Sequence, residues 1–471
     1  MMILFSPETL AASSSTASVR STGYISTLPI INLAVNPQVI IGSNNLSLGF
    51  NLHHDYERSL WYSQSTLRQL GMDMNARMIR LFTTAIEPCT SWNDASETGA
   101  FNWQSVDSFI QRIFDTGAQP LITIGFADSG GIYLPPGMAL NPSTGLPYPD
   151  SFAAYCQEWV KHFQQTGMPV KYYEVMNEAW YYFYPNWNWN EAKAQNFLTL
   201  YNTAYNAMHT QNNQILAGND ASLFTRFLNF WKTSGGKLDF FSCHKYDSWG
   251  LSYSDSQGLD SADTKFFGRF DSYNIGISQA RQLWGKNLPA IATEANFGAT
   301  CASGTDPRLQ QLVGAVWTAL VLKGGIQSGF DYICYYDFSS SKSWELANKA
   351  TGGFGFGMIN YDNNQPWYPY YVQYLIGHNL SVGDPLVETS SSSNDIRVLS
   401  WNHDETLNTL IVCRTNTQRT VRVQGLNGQI SLFKIENTIP YTTPSIQSSQ
   451  IDASDVIAIN GYTVILLQTN L

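Results

Sequence analysis

Charge is scarce in this sequence. Lys, Arg, Asp and Glu supply 13% of 471 residues, about half the ~25% of an ordinary globular chain. Acids outnumber bases 36 to 26, for a formal net charge of -10, and no Lys/Arg cluster occurs anywhere. That excludes a protein built to neutralise a phosphate backbone. No apolar run reaches the ~18 residues of a membrane-crossing helix. The opening Met1-Met2-Ile3-Leu4-Phe5 is too short for a signal-peptide core, although the small polar stretch 13–18 is of the kind that follows cleaved leaders. The six cysteines contain no C-x-x-C pair, and Cys243 and Cys334 lie inside apparent strands as buried thiols, with a loop disulfide between Cys89 and Cys301 left open. A Gly-x-Gly-x-x-Gly turn after the first strand, the mark of a doubly wound dinucleotide-binding sheet, is missing too.

What is abundant is aromatic: Phe, Trp and Tyr reach 14%. Set among many amides and hydroxyls, they suit a neutral polymer such as a glycan, and an extracellular location is expected on that composition. Eight apolar, β-rich runs recur at 46–53, 77–83, 120–126, 172–180, 214–220, 239–246, 289–297 and 330–338. Amphipathic segments such as 106–116, 151–165, 192–211 and 309–323 separate them, and eight strands each leading to a helix is the count of a (β/α)₈ barrel. After a last helix to about His378 the pattern becomes short alternating strands at 396–401, 409–414, 420–423, 429–435, 456–459 and 462–467. Asn427-Gly428 and Asn460-Gly461 predict two-residue hairpin turns there. The expected organisation is therefore a disordered or leader remnant at 1–19, strand-forming residues 20–44 joining a β-sandwich, a catalytic barrel at 45–380 and the small antiparallel sandwich at 381–471.

Two of the runs carry glutamates at their carboxyl ends: Tyr173-Glu174-Val175-Met176-Asn177-Glu178 and Ala290-Ile291-Ala292-Thr293-Glu294-Ala295-Asn296. In a parallel barrel that end faces the active-site mouth. Glycosidic cleavage needs two carboxyl groups, one to protonate the leaving oxygen and one to attack the anomeric carbon or activate water. Glu174 shares a strand face with Glu178 but lies ~13 Å deeper, so Glu178 is the better candidate. In the seventh strand, alternation puts Ala292, Glu294 and Asn296 on one face, with small Ala292 beneath Glu294.

Asn177-Glu178 ending the fourth strand and Thr293-Glu294 ending the seventh resemble clan A of the glycoside hydrolases, retaining enzymes on a (β/α)₈ barrel. The resemblance implies that Glu178 is the acid/base, Glu294 the nucleophile and Asn177 the partner of the sugar 2-hydroxyl. By strict alternation Asn177 points away from Glu178, so a bulge is needed for both to face the sugar. It further implies that Arg80 hydrogen-bonds the nucleophile, that His244 contacts substrate and that Tyr246 steers Glu294. The wording of Pro120-Leu121-Ile122-Thr123-Ile124-Gly125-Phe126 and of the Tyr-Glu-Val-x-Asn-Glu run most resembles family 39, which includes β-xylosidases. This chain departs from it in having Ala179-Trp180 after the acid/base and no evident tryptophan within Tyr332-Ile333-Cys334-Tyr335-Tyr336-Asp337.

The segment Trp180-Tyr181-Tyr182-Phe183-Tyr184-Pro185-Asn186-Trp187-Asn188-Trp189 is too aromatic for a solvated loop. Trp180 and Trp187 are candidate stacking faces for sugar rings, with a hydrophobic cluster beneath a long loop as the other reading. Asp128 and Asp220, after the third and fifth strands, face the mouth by position and could bind substrate hydroxyls. His53 and Tyr336, at the ends of the first and eighth strands, complete the candidate substrate-binding set. His53-His54-Asp55 and His244 share no ligand spacing, so no metal is expected, and no cofactor is required. The expected activity is retaining hydrolysis of β-glycosidic bonds in plant-type oligo- or polysaccharides, xylosidase/xylanase-like or glucosidase/glucanase-like. A non-catalytic glycan-binding protein on a degenerate barrel, or a transglycosylase, are the alternatives.

Overall fold

The computed structural model describes residues 28–53, 61, 63–128, 131–248, 253–260, 262–263, 276–299, 306–340, 355–360, 363–436 and 445–471. After β1 (Ile30–Ser43) come eight strands: β2 (Ser47–Leu52), β3 (Met78–Phe82), β4 (Gln119–Asp128), β5 (Tyr172–Asn177), β6 (Leu216–Gly218), β7 (Phe241–Ser248), β8 (Ala290–Gly298) and β9 (Tyr332–Tyr335). They pair in the order β7-β8-β9-β2-β3-β4-β5-β6, every pair parallel. Between β6 and β7 the Asp239 N–H donates to the Ala217 carbonyl at 3.0 Å, which closes the ring.

Each strand is followed by a helix: α1 (Ser65–Asp73), α2 (Gln104–Asp115), α3 (Pro149–Thr166), α4 (Glu191–Gln211), α5 (Thr225–Thr233), α6 (Ile277–Trp284), α7 (Leu312–Ser328) and α8 (Tyr368–Asn379). Local sequence sets their ends. Pro149 occupies the first turn of α3, where its missing N–H costs nothing, and Gly167 caps it in the left-handed conformation. Asn190 caps α4 by accepting the Lys193 N–H at 3.0 Å. The barrel is the (β/α)₈ architecture that the sequence predicts.

The barrel floor is apolar. Met78, Leu121, Tyr172, Phe240, Ile291 and Cys334 point inward and form one buried cluster, each contributing roughly 1.5–3 kcal/mol by leaving water. Directly above it the interior turns polar, which is where the site begins.

The second unit is a nine-stranded sheet of β10 (Pro385–Ser391), β11 (Ile396–His403), β12 (Thr406–Cys413), β13 (Gln418–Gln424), β14 (Gln429–Ile435), β15 (Gln447–Asp452), β16 (Val456–Asn460), β17 (Thr463–Asn470) and β1, in the order β15-β14-β17-β12-β11-β10-β1-β13-β16. Side chains from both ends of that order, such as Leu432 and Leu467 with Val421 and Ile459, share one core, so the sheet folds over into two layers. The expected strand from residues 20–44 is present as β1, whereas Gly23-Tyr24-Ile25 lies outside the described residues.

The hairpin turns expected at Asn427-Gly428 and Asn460-Gly461 are not hairpins. Both glycines do have positive φ, but β13 pairs with β1 and β16, while β14 pairs with β15 and β17. Each turn therefore carries the chain from one layer to the other. Turn chemistry sets the backbone bend and not the partner, which the two-layer core decides.

The other sandwich face, including Leu399, Trp401, Leu410 and Leu466, joins the barrel's main core. Helix α7 is buried on every side from Leu312 to Ile326, as expected of a helix apolar all round and packed between two layers. Its Lys323 meets Asp263 at 3.0 Å, and Arg397 of the sandwich meets the same carboxylate at 3.0 Å. Cys89, Cys156, Cys243, Cys334 and Cys413 are free buried thiols; Cys301, the other half of the considered disulfide, lies outside the described residues.

Candidate active site

One polar side chain from each of six strands forms a layer on the apolar floor: Asn51, Arg80, Thr123, Glu174, Ser242 and Thr293, all with 0% exposure. They satisfy one another. Arg80 donates to Asn51 Oδ1 at 3.2 Å, to Thr123 Oγ1 at 3.0 Å and doubly to Glu174. Thr123 and Ser242 donate to Glu174 at 3.0 and 2.9 Å, Ser242 and Thr293 share a bond of 2.8 Å, and Asn51 donates to the Thr293 carbonyl at 3.0 Å. A buried charge pair of this kind persists only when its remaining lone pairs and protons are also satisfied. Burial works against the charge on Glu174, and Arg80 overrides it and holds the carboxyl below its usual range.

The two candidate glutamates stand one step above this layer, and in both strands an irregularity puts them there. In β8, Ile291 and Thr293 face the interior and Ala292 packs outward. The alternation that placed Ala292 beneath Glu294 is therefore wrong in phase. The register slips between Cys243 and His244, which pair with Ala292 and Glu294, so Glu294 follows Thr293 onto the inner face. In β5 the phase turns at Met176, whose φ is 63°, and Glu178 just past the strand has φ 47°. Non-glycine residues rarely adopt this left-handed conformation, at a cost of roughly 1–2 kcal/mol. The bulge that the sequence required for Asn177 and Glu178 to share a face takes this form.

Around Glu294 the contacts are short. Arg80 Nη1 donates to Oε1 at 2.6 Å and the Tyr246 hydroxyl donates to Oε2 at 2.6 Å. His244 Nδ1 lies 3.1 Å from Glu178 Oε1 and 3.4 Å from Glu294 Oε2. One oxygen of each glutamate and one imidazole nitrogen all lie within 4.8 Å of one another. Glu178 keeps 20% of its side chain exposed, against 8% for Glu294, so Glu178 is the one open to the mouth.

Electrostatics follow from the count: Glu174, Glu178, Asp220 and Glu294 face the two cations Arg80 and His244. Burial raises the Glu178 carboxyl above its ordinary value and the charge on Glu294 adds to it, with His244 opposing. Burial disfavours a charged imidazole at His244, yet Glu294, the bond to Glu178 and Asp220 outweigh it and raise it to about 9. Asp220, raised to about 8 mainly by burial with Glu174 and Glu178 adding, is buried and accepts the backbone N–H of Glu178. It does not line the mouth as a hydroxyl-binding group, contrary to its position in the strand pattern.

Asn177 has its Oδ1 held by Arg80 at 2.7 Å and its Nδ2 donating to the Ala127 carbonyl at 3.3 Å, which leaves one amide hydrogen for a ligand. His53 Nδ1 and the Tyr336 hydroxyl share a hydrogen bond, and the His53 ring packs on Phe82 with centroids 4.2 Å apart. Asp128 ends β4, but its side chain lies outside the described residues, as do His54 and Asp55. Trp180 does not offer a bare face: it is buried and stacks on Tyr181 and Trp187 at 3.8 and 4.9 Å between centroids. Neighbouring Phe183 stacks on Phe227 and Phe197, so most of this segment is a hydrophobic cluster under the loop, with Trp187 partly exposed.

Glu178, His244 and Glu294 are also the described residues close enough to hold a metal ion. Ligation there would need a neutral His244, whereas the surrounding carboxylates favour its protonated form and raise it to about 9. Sequence reasoning misses Asn51, Thr123, Ser242 and Thr293, and weighs Glu174 only as a rival to Glu178, although a signal exists: a lone polar residue inside an otherwise apolar parallel strand is anomalous, and it recurs in strand after strand.

The family model for glycosyl hydrolases family 39 matches residues 41–418. Among solved structures the chain is similar to a monomeric β-xylosidase from Caulobacter crescentus CB15, with a TM-score of 0.62 at 13% identity, covering 94% of this chain and 99% of that one. It is similar to a GH39 enzyme from Xanthomonas axonopodis pv. citri (0.62, 14%, 96% and 99%). A third is an α-L-arabinofuranosidase from Thermotoga maritima in an arabinose complex (0.64, 13%, 94% and 100%). At these identities the likeness is one of fold. No curated protein matches the chain.

Proposed function

The chain belongs to glycosyl hydrolases family 39 and is a retaining clan A glycosidase, and from that premise we propose that Glu294 is its nucleophile and Glu178 its acid/base, acting on β-glycosidic bonds of plant-type oligo- or polysaccharides. The observation that carries this reading is the convergence of one oxygen from each carboxylate within 4.8 Å. Retaining enzymes hold the two groups ~5–5.5 Å apart, while inverting ones leave ~6.5–9.5 Å for a water.

In this mechanism Glu294, held by Arg80 and Tyr246, forms a bond to the anomeric carbon as the glycosidic C–O bond breaks. Glu178, whose hold on a proton is strengthened by burial and by the negative charge of Glu294, gives its proton to the departing oxygen. With Glu294 esterified that charge is gone, and Glu178 becomes the base that takes a proton from water, whose oxygen attacks the same carbon and frees Glu294. The free amide hydrogen of Asn177 is directed to the sugar 2-hydroxyl, and His53, Tyr336, His244 and Trp187 contact the sugar rim. Action on such polymers places the enzyme outside the cell in this reading. Xylosides and glucosides head the substrate panel, and arabinofuranosides join it because similar structures include an α-L-arabinofuranosidase.

The test is a panel of aryl β-xylosides, aryl β-glucosides and aryl α-L-arabinofuranosides with Glu178→Ala and Glu294→Ala. Glu178→Ala is expected to lose about 10²–10⁴-fold on substrates with poor leaving groups and to regain turnover of activated ones when azide is added. Glu294→Ala is expected to regain none through the retaining route. A wild-type first product of inverted anomeric configuration, seen by proton NMR, would rule the mechanism out.

A further inference from the structure

Asp220 is used by neither half of the double displacement, yet it touches the residue that serves both. It follows β6, and its side chain is 0% exposed. Oδ2 accepts the backbone N–H of Glu178 and lies 3.6 Å from His244 Nε2, while Oδ1 has no hydrogen-bond partner. The imidazole's other nitrogen is the one that meets Glu178 at 3.1 Å and Glu294 at 3.4 Å. Asp220 therefore hydrogen-bonds the main chain of the acid/base and faces, across 3.6 Å, the Nε2 of the histidine that contacts its carboxyl group.

The main-chain contact bears on a conformation that needs support. Glu178 sits at φ 47° just beyond the end of β5, a state disfavoured by roughly 1–2 kcal/mol for a residue with a Cβ. The Asp220 carboxyl oxygen that accepts its N–H holds this turn against relaxation to the ordinary β region, where the side chain would swing away from Glu294. A buried carboxyl with one oxygen unpartnered is costly, and a position this expensive is explained when its other oxygen has a task.

We propose that Asp220 is a positioning residue for the proton-transfer steps: it fixes the left-handed turn of Glu178, with His244 facing its carboxyl group, and so aims the acid/base carboxyl at the glycosidic oxygen. The proposal rests on Glu178 being the acid/base. Without Asp220 the nucleophile keeps its own supports, Arg80 and Tyr246, so attack on the anomeric carbon continues wherever the leaving group needs no proton.

The test uses the full chain carrying Asp220→Ala, Asp220→Leu and Asp220→Asn on two aryl β-glycosides of the preferred sugar, one with a 2,4-dinitrophenyl and one with a 4-methylphenyl leaving group. Leu fills the space of the carboxylate, so one variant without an acceptor folds even if the Ala cavity proves too costly. The Ala and Leu variants are expected to lose on the order of 10²-fold in kcat/KM on the 4-methylphenyl glycoside and less than about fivefold on the dinitrophenyl one, and azide is expected to accelerate their turnover of the latter. Asp220→Asn keeps an oxygen for the Glu178 N–H and is expected to recover most of the loss. An equal loss on both substrates, or an Asn variant no better than Ala, overturns the proposal. Glu178→Ala run beside them separates the two claims: if it shows neither the leaving-group dependence nor azide acceleration, the assignment of Glu178 fails and the role of Asp220 falls with it, whereas a Glu178→Ala variant that shows both beside Asp220 variants that show neither overturns the role of Asp220 alone.

Discussion

The hydroxyl of Tyr246 donates to Glu294 Oε2 at 2.6 Å while the other oxygen of that carboxylate is held by Arg80 at the same distance. Both lone-pair directions towards the barrel wall are thus taken, and the carboxylate has its rotation fixed before any sugar arrives. Tyr246→Phe removes one hydrogen bond to a charged group and keeps the ring. Such bonds are worth about 1.5–3 kcal/mol, so kcat/KM is expected to fall about 10- to 150-fold, and the unfolding midpoint in urea is expected to drop as well. A variant of full activity would show that the tyrosine only packs.

Arg80 is expected to matter for folding as much as for catalysis. Its guanidinium is fully buried between Glu174 and Glu294 and is bonded also to Asn51, Thr123 and Asn177. Arg80→Met leaves the buried Glu174 carboxylate without its counter-charge, a loss of about 3–5 kcal/mol. Pairing it with Glu174→Gln should return a measurable part of that. Chemical denaturation of the two variants decides it: equal midpoints would mean that Glu174 is not the group left stranded.

Stability should decline on the alkaline side of neutrality. His244 is raised to about 9 and Asp220 to about 8, so above pH ~6.5, where an unfolded histidine loses its proton, the native chain binds more protons than the unfolded one. Stability then falls with rising pH. The histidine contribution is complete below about 6.5 and lost through about 9; the aspartate contribution is lost as pH climbs from its unfolded value through about 8. Urea midpoints measured from pH 6 to 9.5 are expected to drop, and His244→Asn to flatten that drop. A wild-type curve that is level over this range contradicts it.

The barrel and the sandwich share an ionic pin. Asp263 is met by Lys323 of the buried helix α7 and by Arg397 of β11, both at 3.0 Å. Asp263→Ala strands Lys323, which is 7% exposed, and is expected to cost about 3 kcal/mol, seen as a lower thermal midpoint with the transition still single. Loss of the sandwich transition alone would mean that the pin serves that unit and not the junction.

Much of the site could be read from residue types and strand ends. A glutamate closing a buried strand, an arginine inside another and a His-x-Tyr pair in a third are chemical anomalies, and each of Glu178, Glu294, Arg80, His244 and Tyr246 converges on the same few ångströms. The strand pattern ranks Glu174 below Glu178 because it lies deeper, and depth is what makes it the partner of Arg80. Aromatic density marks Trp180 as a sugar-stacking face but says nothing about which ring ends up beneath another.

The periods of hydrophobicity, 3.6 and 2, together with the carboxylate-bearing strand ends, determined on their own the eightfold barrel, the small sandwich behind it and the class of chemistry. Only the tertiary structure decided where the period of 2 breaks. The slip beside Thr293 and the turned backbone at Met176 and Glu178 depend on the neighbouring strand's register and on a buried acceptor, Asp220, that lies 42 residues downstream of the N–H it receives. The same holds for the two Asn-Gly turns: the residues specify the bend, and long-range packing chooses the strand that receives the chain.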